Sequence, residues 1–271
     1  MRTCFLAVCI TGLAVSTAGI TCAEEKEEGR KPLTADEIVN RANLVAYYAG
    51  KDGRAEVEMT ITDREGRTRE RLMTILRKNV AEGGDQKFYV YFKRPADVRN
   101  MTYLVWKHVG KDDDRWLYQP ALDLVKRIAA SDKRTSFVGT NFVYEDVSGR
   151  GVEEDTHELL RAEKKTYVVR NTPKDPRGLE FSYYDVWIDK DTFMPMKAEY
   201  YNKEGKKYRV IEALEVKEIQ GHPTVMRSRA SDLESGGNTV AVFSDVKYDI
   251  GIPDDIFTER YLRRAPRKWL K

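Results

Sequence analysis

Alternation of apolar and polar side chains is the feature that most constrains the fold of this chain of 271 residues. It is clearest between Ala55 and Ile61, where every second residue is apolar. A period of two is typical of a β-strand with one buried face, and a turn-forming run follows at 63–66. Comparable segments lie at 72–76, 87–92, 101–106, 115–118, 125–128, 166–170, 181–189, 196–201, 207–219, 224–230 and 239–247. The pattern predicts about eleven antiparallel strands.

So many strands in one sheet must close, or curl and be covered, because a flat sheet would expose an apolar face and open edges. We therefore expect a mostly β fold with some α-helix, in the form of a half-open antiparallel β-barrel with covering helices. Thr34 and Glu37 form a capping-box pattern before a helical stretch that Gly50 ends. Residues 131–147 break the alternation and predict a loop with helical turns. A short helix is predicted at 256–262, followed by a loose basic tail.

The N-terminus predicts export. Arg2 precedes an apolar run at 5–20 that is too short for a permanent membrane span, and Thr21-Cys22-Ala23 provides small residues for signal peptidase. We expect a signal peptide at 1–23 and a single domain at 24–271, exported from the cytoplasm. All three cysteines, Cys4, Cys9 and Cys22, would leave with the signal, so the mature chain would have no disulfide or thiol nucleophile. Lipid anchoring at Cys22 is the alternative.

Composition and motifs favour a protein without catalytic chemistry. The net charge of +3 gives no reason to expect binding to nucleic acid. His108, His157 and His222 are not at metal-ligand spacing, and no nucleophile elbow, phosphate loop or dinucleotide fingerprint is present. We expect no catalytic residue, no metal and no cofactor. Carboxylate pairs suited to glycoside hydrolysis, Asp185 with Asp189 or Glu145 with Asp146, leave an enzyme open as an alternative.

Aromatic residues are concentrated in the predicted strands and in the central loop. They fit either an ordinary core or the lining of an internal cavity, which a barrel of this size can enclose. Methionines at 59, 73, 101, 194, 196 and 226 would suit an adaptable lining. The candidate cavity residues are Val57, Met59, Ile61, Phe88, Val90, Phe92, Tyr103, Trp116, Tyr118, Phe137, Phe142 and Trp187.

Several longer motifs resemble the LolA-like group of outer-membrane lipoprotein-sorting proteins. In the first half they are DRWLYQPAL at 114–122, VKRI at 125–128 and SFVGTNFVYED at 136–146. In the second half they are VWID at 186–189, FMPMK at 193–197 and GIPDDIFT at 251–258. The resemblance extends over most of 35–262.

This resemblance implies a half-open β-barrel around an apolar cavity, lidded by helices, in a periplasm. It further implies a binding or carrier protein for a lipid or an acylated lipoprotein, whose acyl chains occupy the cavity. Members of this branch resemble companions of exporters of the resistance-nodulation-division (RND) type, so an inner-membrane RND-type transporter is an expected partner, and a monomer is expected. A periplasmic sensor or adaptor that binds a membrane protein without carrying lipid is the alternative.

Cations flank the central motif and allow two interpretations. In the first, lipid head groups or a partner protein contact these cations, which are Arg115, Lys126, Arg127, Lys133 and Arg134. Alternatively, Arg115 and Arg127 are structural and pair with Glu145 or Asp146 to hold the irregular segment on the sheet. Gly139 is expected to supply backbone freedom within that segment.

Overall fold

The computed structural model of the chain describes residues 31–271. The predicted signal peptide, its cleavage site and the three cysteines lie outside the described residues, so these expectations stay predictions. Residues from Leu33 to Lys271 form one structural unit.

Thirteen antiparallel strands form a single open sheet within the described residues. They are β1 Asp52–Thr62, β2 Thr68–Asn79, β3 Gln86–Arg94, β4 Thr102–Lys107, β5 Asp114–Gln119, β6 Leu124–Arg127, β7 Asp155–Ala162, β8 Thr166–Pro173, β9 Phe181–Asp189, β10 Pro195–Asn202, β11 Lys207–Ile219, β12 His222–Asp232 and β13 Asn238–Tyr248. Their order across the sheet is β6-β5-β4-β3-β2-β1-β13-β12-β11-β10-β9-β8-β7. Strands β6 and β7 are the two edges, which makes the barrel half-open.

The predicted fold class is confirmed, although the sheet has thirteen strands rather than about eleven. The strand missing from the sequence prediction is β7, Asp155–Ala162. As an edge strand it contacts only β8 within the sheet, and most of its side chains are exposed or half-buried. Its sequence therefore has no clear apolar alternation from which it could be recognised.

Between residues 31 and 271, three α-helices accompany the sheet: α1 Ala35–Tyr47, α2 Tyr144–Ser148 and α3 Arg260–Arg263. Helix α1 starts with the predicted capping box. The Glu37 N–H donates to Thr34 Oγ1 at 3.2 Å, and the Thr34 N–H donates to the Glu37 carboxylate at 2.8 Å. Ile38 and Ala42 of α1 are buried against Val169 of β8 and Ile188 of β9. Helix α1 therefore lies on one face of the second half of the sheet.

Replacing Thr34 by alanine should destabilise the protein by about 1 kcal/mol, because one N–H at the start of α1 loses its acceptor. Urea denaturation would measure the change. Thr34→Ser keeps the hydroxyl and serves as the matched control. The capping role would be contradicted if the alanine variant lost no more stability than the serine variant.

The first half of the sheet is buried on both faces. On the inner face, Phe88 and Tyr103 pack with Phe137 from the central loop. On the outer face, the following residues Tyr89 and Leu104 pack against the C-terminal segment, residues 250–270. Alternate residues of one strand thus belong to two separate cores, as the pleat requires.

The prediction of a loose tail after residue 262 is wrong. The C-terminal segment contains 3₁₀ turns at Asp254–Phe257 and Arg267–Trp269 on either side of α3, and Leu270 is only 6% exposed. Trp106 Nε1 donates to the Phe257 carbonyl at 2.8 Å, and the Tyr89 hydroxyl donates to the Tyr261 carbonyl at 2.7 Å. The tail is ordered because it covers the outer face of the first strands, which would otherwise expose aromatic rings. No helix among residues 31–271 is long and apolar enough to cross a membrane.

Candidate functional site: an apolar cavity beneath helix α1

A cavity of ≈ 470 Å³ lies between α1, the central segment (residues 131–149) and the inner face of the sheet. Helix α1 contributes Val39, Ala42 and Ala46, which share one helical face. Apolar side chains from the strands and their connections complete most of the wall: Ala55, Met59, Ile75, Phe88, Val186, Ile188, Met194, Met196, Ala198, Ile211, Ala213, Val225, Ala241, Phe243 and Val246. Such a lining favours an apolar ligand.

The central segment forms one wall of this cavity through Phe137 and Phe142. Val138 and Gly139 between them both have left-handed backbone, with φ of 49° and 76°, so the predicted backbone freedom of Gly139 is used there. The segment is fastened to β13, because the Asn141 N–H donates to Thr239 Oγ1 at 2.9 Å and Thr239 Oγ1 donates to Asn141 Oδ1 at 2.8 Å.

Helix α1 approaches the end of the same segment very closely. Gly149 has φ of 77°, and a Cβ at this position would lie 2.6 Å from Cζ of Tyr47. Only glycine allows the Tyr47 ring to approach the backbone this closely here. The end of α1 and the end of the central segment thus meet at the cavity wall.

A buried ion cluster holds the central segment in place. Glu145 is 2% exposed, and its carboxylate accepts from Lys133 Nζ at 3.0 Å, Arg134 Nη1 at 3.1 Å and Arg150 Nη1 at 3.4 Å. The cations have further acidic partners: Glu154 with Lys133 and Arg150, Asp155 with Arg150, and Glu180 with Arg134. Arg134 also stacks over the rings of Phe181 and Tyr200.

The cluster keeps Glu145 ionised. Burial by itself would raise the pKa of this carboxyl, but the charges of the three cations outweigh burial and lower the pKa to about 2. Neighbouring Asp146 is bonded to the buried Arg209. Glu145 is therefore not a protonated acid with a raised pKa, as a general acid requires.

The predicted pairing of Arg115 and Arg127 with Glu145 or Asp146 is wrong. Arg115 bonds to Asp113 at 2.6 Å, and Arg127 bonds to Asp114. The first pair joins β5 to the residue just before it, and the second joins the end of β6 to the start of β5. The structural role is instead performed by Lys133 and Arg134, two of the cations predicted as possible head-group contacts.

The other carboxylate pair, unlike Glu145 and Asp146, lies away from the cavity. Asp185 is 6% exposed and accepts two bonds from Arg170, at 2.8 and 2.9 Å. Asp189 instead accepts from the N–H and hydroxyl of Thr192 in the turn after β9. Among residues 31–271, no group of histidine and acidic side chains is arranged to hold a metal ion.

The structure distributes the twelve predicted cavity residues over five locations. Met59, Phe88, Phe137 and Phe142 line the cavity. Val57, Val90, Phe92 and Tyr103 pack behind them in the inner core, and Ile61 is buried further along β1. Trp116 and Tyr118 lie under the C-terminal segment on the outer face, and Trp187 packs against Lys197. Of the six methionines, Met59, Met194 and Met196 line the cavity. A role in ligand binding stays a prediction for all of them.

Comparison with known proteins gives the family. A family model described as an uncharacterized protein matches residues 84–264. A DUF1329 family protein from Desulfovibrio piger ATCC 29098 is 30% identical in a match that covers 84% of this chain and 97% of that protein, with a TM-score of 0.78. The chain belongs to the DUF1329 family. No curated protein matches it.

Two further structures are similar to this DUF1329 chain. A domain from Vibrio parahaemolyticus assigned to outer membrane lipoprotein sorting is 27% identical, covering 85% of this chain and 98% of that one, with a TM-score of 0.78. A LolA superfamily protein from Nitrosomonas europaea shares the fold at 22% identity, covering 85% of this chain and all of that one, with a TM-score of 0.65. These similarities confirm the resemblance and the fold.

Sequence reasoning missed most of the cavity wall in this DUF1329 protein. Several of the α1 residues that line the cavity are small and apolar, such as Ala42 and Ala46, and these also fit an ordinary packed helix. The second half of the sheet contributes residues from β9 to β13, and the candidate list took only Trp187 from there. One available signal was the spacing of Val39, Ala42 and Ala46, which places small side chains on one helical face.

Proposed function

We propose that this DUF1329 protein is a periplasmic binding or carrier protein for the acyl chains of a lipid or a lipoprotein. The observation that carries the proposal is the ≈ 470 Å³ apolar cavity between α1, the central segment and the sheet. Burial of acyl methylenes in such a cavity contributes ~0.8 kcal/mol each, so affinity requires no specific polar contact. The relative assigned to outer membrane lipoprotein sorting supports the proposal.

The cellular setting belongs to the same proposal. Export to the periplasm rests on the predicted signal peptide and on that relative. Partnership with an inner-membrane RND-type transporter and a monomeric state rest on the sequence resemblance. Release of the cargo requires movement of α1 or the central segment, since both form the cavity wall.

Native mass spectrometry of the protein purified from membrane-containing cells tests this function. We expect bound lipid that dissociates in organic solvent, and uptake of a fluorescent fatty acid by the delipidated protein. A correctly folded protein with no extractable lipid and no uptake of the fatty acid would exclude the carrier function.

A further inference from the structure

One charged residue of the cavity wall differs from the others. Glu145 and Arg150 belong to the buried ion cluster, and Asp146 is bonded to Arg209. Arg77 on β2 also lines the cavity, but within residues 31–271 no carboxylate lies at ion-pair distance from its guanidinium. The other charged lining residues all have oppositely charged partners: Arg54 with Asp245, Lys197 with Glu199 and Glu212 with Arg229.

The guanidinium of Arg77 is held by neutral groups instead. Its Nη1 donates to Asn79 Oδ1 at 2.5 Å, and its Nη2 donates to the carbonyls of Ala49 and Gly50, just after α1. A guanidinium has five N–H donors, so the Nε–H and the second N–H of Nη1 have no acceptor among the described residues. The neutral acceptors fix the direction of the side chain but do not neutralise its charge.

The charge of Arg77 is also poorly solvated. Burial lowers the pKa of this guanidinium below its usual value, although arginine stays ionised at neutral pH. The carboxylates of Asp52 and Asp249 act on it only from beyond ion-pair distance, and both already accept hydrogen bonds from backbone N–H groups. An anion that reaches Arg77 would therefore supply the opposite charge that the protein does not place there.

Arg77 lies in a row of four residues across the inner face of the sheet. Phe88 of β3, Arg77 of β2, Gly53 of β1 and Tyr248 of β13 are opposite one another in register, so they share one face, and all four line the cavity. Gly53 lets the Tyr248 ring lean over the backbone towards Arg77, since a Cβ there would lie 3.0 Å from Cδ1 of the ring. The Tyr248 hydroxyl shares a hydrogen bond of 2.9 Å with Oγ1 of Thr224, which also lines the cavity.

Apolar residues continue from this row along the same wall. On β1 the lining runs from Gly53 through Ala55 to Met59, which is about 20 Å at the usual rise of a β-strand. Ile188 and Met194 add apolar surface from the second half of the sheet. The cavity therefore combines a cation and a hydroxyl at one row with apolar walls beyond it, which complements an amphiphile with an acidic head group.

We propose that Arg77 binds the acidic head group of an anionic amphiphile, a carboxylate or a phosphate, and that the hydrocarbon tail lies along the apolar wall. This inference rests on the proposed carrier function and names the chemical class of the cargo. Hydrogen bonds from a guanidinium to a carboxylate or phosphate are stronger than those to neutral acceptors, because both partners are charged. A neutral head group would leave the charge of Arg77 uncompensated.

Titration calorimetry of the delipidated protein with four ligands that share a dodecyl chain tests the head-group preference. The ligands are laurate, dodecyl phosphate, dodecanol and dodecyltrimethylammonium, each below its micelle-forming concentration and at a pH where laurate is ionised. We expect the two acids to bind about tenfold or more tightly than the alcohol and the cation. Because the tail is constant, the difference reports on the head group. The tighter of the two acids distinguishes a free fatty acid from a phosphate head group.

Variants of Arg77 locate the head group. Arg77→Met removes the charge but keeps an unbranched side chain, and should weaken binding of both acids about tenfold while dodecanol binding changes little. Arg77→Lys keeps the charge and should retain most of the preference for acids. Arg227→Met is the control, because Arg227 is an exposed cation of β12 that does not line the cavity. It should leave all four affinities unchanged.

Two negative results are distinguishable. If none of the four ligands binds to the wild type, the proposed function fails and the inference fails with it. If dodecanol or the cationic ligand binds as tightly as the acids, or if folded Arg77→Met keeps the full preference for acids, the head-group assignment is wrong and the carrier function stands. Circular dichroism checks the folding of Arg77→Met. If that variant does not fold, the wild-type comparison and Arg77→Lys decide.

Discussion

Replacing Glu145 by glutamine should lower the free energy of unfolding by about 3–5 kcal/mol, because removing one member of a buried ionic group leaves its partners uncompensated. Three cations face this carboxylate, and it is 2% exposed. Urea denaturation at pH 7 measures the change. The control is Glu215→Gln, which removes an exposed partner of Lys217 and should cost less than about 1 kcal/mol.

The effect of this substitution should depend on pH with a defined sign. The pKa of Glu145 is lowered from 4.5 to about 2 in the folded chain, so its ionised form contributes stability that is fully present above pH 4.5. That contribution is lost as the pH falls towards 2. The stability difference between the wild type and Glu145→Gln should therefore shrink between pH 4.5 and pH 2. A difference that stays constant over this range would contradict the ionised, cation-paired state of Glu145.

Replacing Phe257 by alanine should cost about 3–5 kcal/mol, because a large aromatic side chain is removed from a close-packed site. Phe257 is fully buried between the C-terminal segment and the outer face of the first strands. Its carbonyl also accepts from Trp106 Nε1, which stays possible in the variant. Urea denaturation measures the loss, and limited proteolysis should show earlier cleavage in the C-terminal segment.

Leu122→Ala is the control variant for Phe257→Ala. Leu122 is 70% exposed, so its truncation should change the stability by no more than about 0.5 kcal/mol. Equal losses in the two variants, or a Phe257→Ala protein as stable as the wild type, would show that the C-terminal segment does not contribute to the outer core.

The parts of the fold that sequence predicts well depend on local patterns. The alternation around Met59 and the capping box at Thr34 specify their elements through neighbours in sequence, and both are present in the structure. The edge strand β7 and the ordered tail around Leu270 depend on distant contacts. Local periodicity contains no information about those contacts, so the predictions failed there.

For the candidate site, too, sequence predicted some residues and missed those that depend on distant contacts. Phe137 and Phe142 were predicted because aromatic residues are concentrated in the strands and the central loop, and they do line the cavity. The partners of Glu145 could not be predicted, since Arg150 and Arg134 reach it only after the central segment folds back. Trp116 was misplaced because both faces of β5 are buried, so alternation does not distinguish the cavity side from the outer side.

The strand order also affects how the molecule reaches its folded state. Within residues 31–271, neighbouring strands of the sheet are consecutive in sequence except at the pairing of β1 with β13, where Gly53 lies opposite Tyr248. Each half of the sheet can form from successive hairpins, whereas this pairing must close a loop of nearly the whole chain, which is entropically costly. Met59 of β1 and Phe243 of β13 line the cavity on the two sides of this junction. We therefore expect the cavity to be completed only when the two halves join, so that a newly made chain has no complete cavity before its last strand is in place.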